Sequence, residues 1–300
     1  MSTPLSRRNL LKSSALGIGA GAMAFGGAAS VAAARDAALQ EPGTSKLNEV
    51  LNRGHLIVGT GSTNPPWHFE DEAGELIGFD IEVAKLVAKG LFDDPTAIEF
   101  VREASDARIP NLQTSQVDVV FQFMTVTAQR AQVVEFTIPY YREGVGTLLP
   151  IDSPYEGALD MAAASDPVIV SILQNVYAEE LVHAAIPNAE VMQFDSQANA
   201  IQALDSGRAN AAAIDESTVR WLVRQSPDLY KAGNYGWSPQ SYSAAVRPGD
   251  SIWLNFLNTT LHEAMTGVEF AAYAAAFSTF FGVELAPPPV GFPVEFGVRA

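Results

Sequence analysis

Two charged side chains in this sequence stand where their charge needs a reason. Arg130 lies three residues after Thr127, in the first turn of a helix expected to begin at Thr127. Free N–H groups and the helix dipole already make such a turn positive, so a cation there is locally unfavourable. No acid lies between Thr127 and Val134 to offset it. An anion docked on both the guanidinium fork and the helix N-terminus resolves the conflict, and a carboxylate held by two parallel bonds is the natural match. A surface Arg paired with a distant acid is the alternative. Asp215 ends an apolar strand and opens a helix over 216–224, a position that suits an ordinary N-cap. A carboxylate at the mouth of one lobe, facing an Arg in another, can also hold an ammonium. Together the two would grip the ends of one zwitterion.

Other chemistry is thinly represented. The four His residues, His55, His68, His183 and His262, show no metal-ligand spacing, and there is no Cys to act as thiolate or nucleophile. No nucleophile elbow, P-loop or dinucleotide fingerprint occurs, so neither a metal nor a cofactor is expected. If the chain were an enzyme, Glu216, His68 or Asp71 would have to serve as its general acid or base.

The elements that must position Arg130 and Asp215 alternate. Residues 55–59 form a short apolar run suited to a buried strand, and Ile81, Ala84, Val87, Ala88 and Leu91 recur at helical spacing behind Asp80, which is expected to cap that helix. Strands are then expected at 98–101 and 117–123 with a helix at 107–114 between them. After Tyr140 and Tyr141 the rhythm restarts: strands at 167–172, 191–194 and 209–214, helices at 176–184 and 198–204. Segments 109–127 and 200–217 repeat one plan of helix, polar turn, apolar strand and polar helix start. A strand at 242–246, a helix-start signal at Pro248, Gly249 and Asp250, and helices at 251–265 and 270–281 complete the chain before a Pro-rich tail. Such alternation argues an α/β protein with parallel strands, built as two lobes on one plan.

Length and charge bound the rest. Three hundred residues exceed one typical domain, and the formal net charge of −16 makes nucleic acid or an anionic bilayer an unfavourable partner. The first 34 residues hold Arg7, Arg8 and Lys12, no acid, and a mild Ala/Gly/Leu run ending in small residues. Ser6, the Arg pair, Leu10 and Leu11 resemble a twin-arginine export signal, which places the mature protein in the periplasm. The run is too weakly apolar to span a bilayer.

A longer resemblance runs through the mature chain. The segments 59–69 and 78–81, Ile109-Pro110-Asn111-Leu112, Met124-Thr125-Val126-Thr127 with Arg130, and 136–141 resemble, in order, the extracellular solute-binding proteins of polar amino-acid ABC importers. The resemblance implies a type II periplasmic binding fold, two α/β lobes joined by two crossing segments with the ligand cleft between them. It implies residues 1–34 as signal peptide, 35–45 as flexible leader, 46–145 as the first part of lobe 1, 146–240 as lobe 2, and 241–300 as the return to lobe 1 with the tail. The crossing segments fall at 143–149 and 237–246. By the same resemblance Arg130 grips an α-carboxylate with donors at Thr125 and its neighbours, and Asp215 grips the α-ammonium.

The sequence also departs from that family. Gly-Thr is common at the start of the second lobe's first helix, where Leu173-Gln174-Asn175 stands here, with Asn175 able to donate through its amide. Asn64 and Ser105 occupy positions that often supply aromatic walls, and Gly61 one that is often Asp or Ser. Trp67, Gln122 and Phe123 are left to shape the side-chain pocket, with Trp67 alternatively a core residue. The implied partners are a small amino acid and the membrane permease of an ABC importer, with the receptor itself a monomer. The competing class is a periplasmic enzyme on the same fold, resembling cyclohexadienyl dehydratase; a receptor ligand-binding domain is a third.

Overall fold

A computed structural model describes residues 45–174 and 178–290. The export signal, the leader up to residue 44, and Asn175 lie outside them. The first helix, α1 (Lys46–Arg53), is capped by the Ser45 hydroxyl, which accepts from Leu47 N–H, and stops at Gly54, whose φ of 86° suits glycine. The strand β1 (Leu56–Thr60) follows. Three short antiparallel strands, β2 (Thr63–Asn64), β3 (His68–Glu70) and β4 (Leu76–Ile77), form a separate small sheet that the expected alternation did not contain.

The helix α2 (Phe79–Phe92) begins two residues earlier than a cap at Asp80 would set, and Asp80 does not cap it. Gly78 holds the capping position at φ 135°, where a Cβ would come within 2.2 Å of the Trp67 carbonyl oxygen. Asp80 is instead fully buried inside the first turn. Next come β5 (Ile98–Arg102), α3 (Arg108–Gln113) and β6 (Val119–Thr125). The helix expected at Thr127 is reduced to one 3-10 turn, Arg130–Gln132, because the chain re-enters the sheet at β7 (Glu135–Phe136).

The strand β8 (Tyr141–Pro150) leads into the second half: α4 (Ala158–Ala162), β9 (Ile169–Leu173), α5 (Ala178–His183), β10 (Glu190–Phe194), α6 (Gln197–Asp205) and β11 (Ala211–Asp215). Then α7 (Glu216–Gln225) and β12 (Tyr230–Ala232) precede β13 (Trp237–Val246), α8 (Ser251–Thr266) and α9 (Phe270–Phe281). The cap expected at Asp250 is made, its carboxylate accepting from Trp253 N–H.

The main sheet runs β10-β9-β11-β8-β13-β6-β1-β5. Pairing is parallel among β10, β9 and β11 and among β6, β1 and β5, and antiparallel where β8 and β13 join the two groups. The fold is thus two α/β lobes joined by two crossing strands. Strands covered by helices on both faces must be apolar throughout, and the burial obeys the period of two. Leu56, Val58, Val119 and Phe121 face the core under α2 and α8, while Val120 with Leu112 and Val134 fills the opposite face. In the second lobe Val170, Ile172 and Ala213 face one core and Ala212, Ile214 and Leu148 the other. Among the described residues no helix is long and apolar enough to cross a membrane.

Candidate functional site

A cavity of about 1190 Å³ opens beside the crossing strands. Its walls include Asn64, Phe123 and Thr125 from the first lobe, Asp195 and Asp215 from the second, and Arg142 from β8. Four of the sequence-derived candidates, Asn64, Phe123, Thr125 and Asp215, therefore meet in one cleft. Gln122, Trp67 and Arg130 do not line it in this conformation.

Phe123 is set there by a buried polar frame. Asp80, in the first turn of α2, takes the hydroxyl of Tyr140 at 2.6 Å, the His68 ring at 2.8 Å and the backbone N–H of Phe123 at 2.9 Å. The His68 ring stacks on Phe123 with centroids 4.6 Å apart. Drawing that N–H toward Asp80 bends β6: the register against β13 shifts between Ser243 and Ala245, and Phe123 adopts φ 33°. A non-glycine residue there carries backbone strain, which buried frames can hold at functional positions.

Gln122 and Trp67 face the interior instead. Side chains alternate along a strand, so Gln122 points away from the Phe123 side, is 2 % exposed, and donates to the Glu103 carbonyl at 3.3 Å. Burial raises the pKa of Glu103. Trp67, 1 % exposed, packs edge-on against Phe79, Tyr141 and Tyr242 and donates its indole N–H to Ser217 Oγ at 3.0 Å. The core alternative describes Trp67.

Arg130 is half-buried at the single 3-10 turn, and the free helix N-terminus expected beside it is not formed: Ala131 N–H bonds the Thr127 carbonyl and Gln132 N–H the Gln129 carbonyl. Its Nη1 donates to the Thr125 carbonyl at 2.8 Å, and its own N–H donates to Thr127 Oγ1 at 3.2 Å. Desolvation lowers its pKa. The pKa of Arg108 is lowered too, first by burial and then by the charge of Arg130. The cation that does line the cleft is Arg142, exposed and without an ion pair among the described residues. Sequence reasoning missed it, although it lies directly beside the crossing segment.

Asp215 occupies the N-cap position of α7, but its side chain makes no capping bond. Its carboxylate instead accepts the Tyr242 hydroxyl at 3.0 Å. Behind it lies Glu143 of β8, 3 % exposed. One Glu143 oxygen accepts the N–H groups of Gly144 at 2.9 Å and Ser217 at 3.3 Å, and the other is bonded to Ser217 Oγ. Burial pushes Glu143 up to about 8 with a further contribution from Asp215, and burial pushes Asp215 up to about 6 against the Tyr242 bond. Tyr242 is held neutral by burial and by these two acids. Glu143, Ser217 and Tyr242 carried no signal in the sequence, because their roles depend on β8, β11 and β13 lying side by side.

None of the three groups an enzyme would need is placed to work in the cleft. His68 is fully buried against Asp80, Glu216 turns a buried oxygen over Gly146, and Asp71 closes a surface turn by accepting from Ala73 and Glu75 N–H. Among the described residues no cluster of His, Asp or Glu could hold a metal ion.

Comparison with known proteins gives a consistent answer. The profile of the bacterial extracellular solute-binding proteins, family 3, matches residues 56–279. The glutamine-binding protein of Geobacillus stearothermophilus is 28 % identical over 207 residues, 67 % of this chain and 75 % of that protein. The L-cystine-binding protein TcyJ of Escherichia coli is 27 % identical over 219 residues, 72 % of this chain and 80 % of its own length. Among solved structures, an ancestral amino acid-binding protein described as a precursor of cyclohexadienyl dehydratase superposes with a TM-score of 0.64 at 30 % identity, covering 79 % of this chain and all of that one.

Proposed function

We propose a ligand and a mode of capture on the premise that the chain belongs to the bacterial extracellular solute-binding proteins, family 3. The protein is a receptor that takes a small amino acid into the cleft and delivers it to the permease of an ABC importer. The observation that carries this reading is the placement of Asp215: it lines the same cleft as Thr125 and Phe123, its carboxylate tied to Tyr242, and among the described residues it forms no ion pair with a cation. A ligand ammonium supplies the missing charge. The carboxylate end is assigned to the Arg130 guanidinium, which stands on the Thr125 carbonyl at the end of β6. Arg142, which lines the cleft with no ion pair among the described residues, is the competing seat for that carboxylate.

Capture is a hinge closure. The lobes, 46–145 with 241–300 and 146–240, rotate about β8 and β13, and the ligand favours the closed form through contacts made by both lobes. Asn64 and Phe123 shape the side-chain pocket on the first lobe. Asn175 lies outside the described residues, and its amide is assigned here to the second lobe's share of the ligand. The receptor works as a monomer, exported by the twin-arginine route through Arg7 and Arg8 and cleaved after Ala34.

Relatives named for glutamine, cystine, arginine and histidine support the amino-acid class. The enzyme reading gains nothing from the cleft, which holds none of its candidate acids. Differential scanning fluorimetry of the mature protein against the twenty proteinogenic amino acids and L-cystine tests the assignment, because a ligand bound only by the folded state raises the melting temperature by mass action. A panel without a single shift overturns it.

A further inference from the structure

Two carboxylates meet under the second-lobe wall of the cleft. Asp215 reaches the cleft at the end of β11, and Glu143 lies behind it on β8. Among the described residues neither forms an ion pair with Lys, Arg or His. The surroundings offer little relief: Arg142 of β8 lines the same cleft but is exposed, and among the described residues it forms no ion pair with either acid. Tyr141 from β8 and Tyr242 from β13 are neutral phenols, and from α7 come Glu216, a third acid, and Arg220, whose charge is taken by Glu216 at 3.4 Å. Two like charges in a buried site cannot both ionise cheaply, so one of them keeps its proton.

Exposure says which one. Asp215 is half-buried and lines the cleft, and the Tyr242 O–H that donates to it rewards its ionised form. Glu143 lies behind it, 3 % exposed, accepting two backbone N–H groups on one oxygen and the Ser217 hydroxyl on the other. Those bonds favour its charge, but the loss of water around it outweighs them, so the deeper acid is the one that keeps its proton.

We propose that Glu143 is a proton-holding residue of the binding site: in the empty protein at neutral pH it is the neutral member of the Glu143–Asp215 pair, and a ligand ammonium seated on Asp215 drives its proton out to solvent. The balance is simple. The pair enters with one negative charge and one proton, an ammonium arrives carrying its own three protons, and the complex holds two carboxylates, one ammonium and one proton fewer. Affinity then rises with pH while Glu143 remains protonated in the empty protein. The inference rests on the reading that Asp215 takes the ammonium, and the raised pKa of both acids agrees with it.

The test has a ligand-free arm and a ligand arm. An acid whose folded pKa lies above its unfolded value binds protons more tightly when folded, so stability falls as pH rises through the interval. The melting temperature of the empty protein should drop by several degrees between pH 5 and pH 8.5, and Glu143→Gln, which keeps the shape and loses the proton, should flatten most of that drop. In the ligand arm, whichever of the twenty proteinogenic amino acids or L-cystine binds tightest is titrated by calorimetry at pH 7 in phosphate and in Tris. The wild-type enthalpies should differ between buffers by an amount corresponding to release of about half a proton or more per ligand. A flat wild-type melting profile, or identical enthalpies in the two buffers, overturns the proposal without any variant. Should none of the amino acids bind, the amino-acid reading fails and the proton release with it. Should the melting profile still slope and be flattened by Glu143→Gln, that failure is assigned to the ligand class and not to the acid pair.

Discussion

The ends of β6 and β11 invite comparison, since each closes a helix–turn–strand unit of the same plan and each delivers one charged residue toward the cleft. β11 runs straight into α7, and Asp215 reaches the cavity from the junction itself. β6 bends at Phe123, ends at Thr125, and continues through a loop to one 3-10 turn, so Arg130 stops short of the cavity with its guanidinium on the Thr125 carbonyl. The same plan yields a charge at the cleft wall on one side and a charge set back behind a loop on the other. On the proposed reading, the first lobe's Arg130 would have to leave the Thr125 carbonyl to reach a ligand already seated on Asp215.

The comparison breaks most visibly at Arg130. Arg130→Ala should abolish measurable amino-acid binding, and Arg130→Lys should bind far more weakly than wild type, because an ammonium keeps the charge but lacks the planar fork. Arg142→Ala is the control. If it costs as much as Arg130→Ala, the cation of β8 carries the carboxylate and the Arg130 clamp is misassigned. Calorimetry on all three variants separates the cases. Asp215→Ala comes next. Losing a charge-assisted bond to a desolvated ammonium costs about 1.5 to 3 kcal/mol, which is more than tenfold in affinity. Its melting temperature should not show the loss of a helix cap, since the side chain makes no capping bond. A stable variant with wild-type affinity would remove Asp215 from the site.

Much of this asymmetry could not be read from sequence. The alternation of apolar runs placed β1, β5, β6, β9, β10, β11 and β13 and every described α-helix except α1 and α4, and the final helix over 270–281 was located to the residue. Periodicity reports burial on each element and is strong where strands are covered on both faces. It failed for β2, β3 and β4, which are too short to show a period. It also failed at Asp80, whose type and position suit a cap while its side chain is turned inward to Tyr140, His68 and Phe123 from three separate segments. The Thr127 helix had the right first residues but no room before β7 paired with β13. Of the residues that line the cleft, Asp215, Thr125, Phe123 and Asn64 had been singled out by motif and type and Arg142 had not, whereas Glu143, Ser217 and Tyr242 behind Asp215 became visible only through long-range pairing.

A smaller effect is expected at Trp67→Phe. The ring keeps its edge contacts with Phe79, Tyr141 and Tyr242, but Ser217 Oγ loses the indole donor. A typical intramolecular hydrogen bond contributes about 1 kcal/mol, and the variant should lose about that in denaturant midpoint at unchanged slope, with affinity nearly intact. A large loss of affinity instead would mean that the indole reaches the ligand in the closed form.

The smallest and sharpest contrast lies in the backbone of the two strand ends. Phe123 sits at φ 33°, while β11 is regular through Ile214. Replacing Phe123 by Ala removes the ring and keeps the strain, because a Cβ at positive φ is still unfavourable by roughly 1 kcal/mol or more. Replacing it by Gly removes both. Glycine within a strand ordinarily costs about 0.5 to 1 kcal/mol relative to alanine, so after that cost the Gly variant should still be the more stable by about half a kcal/mol. At Ile214 the ordinary order should hold, with Ala the more stable of the pair. Chemical denaturation of the four variants reads out the two differences, and because each compares Gly with Ala at one site, most of the lost side-chain packing cancels. If Phe123→Gly is no better than Phe123→Ala, the bend of β6 stores no strain, and the set-back position of Arg130 must be explained by its loop alone.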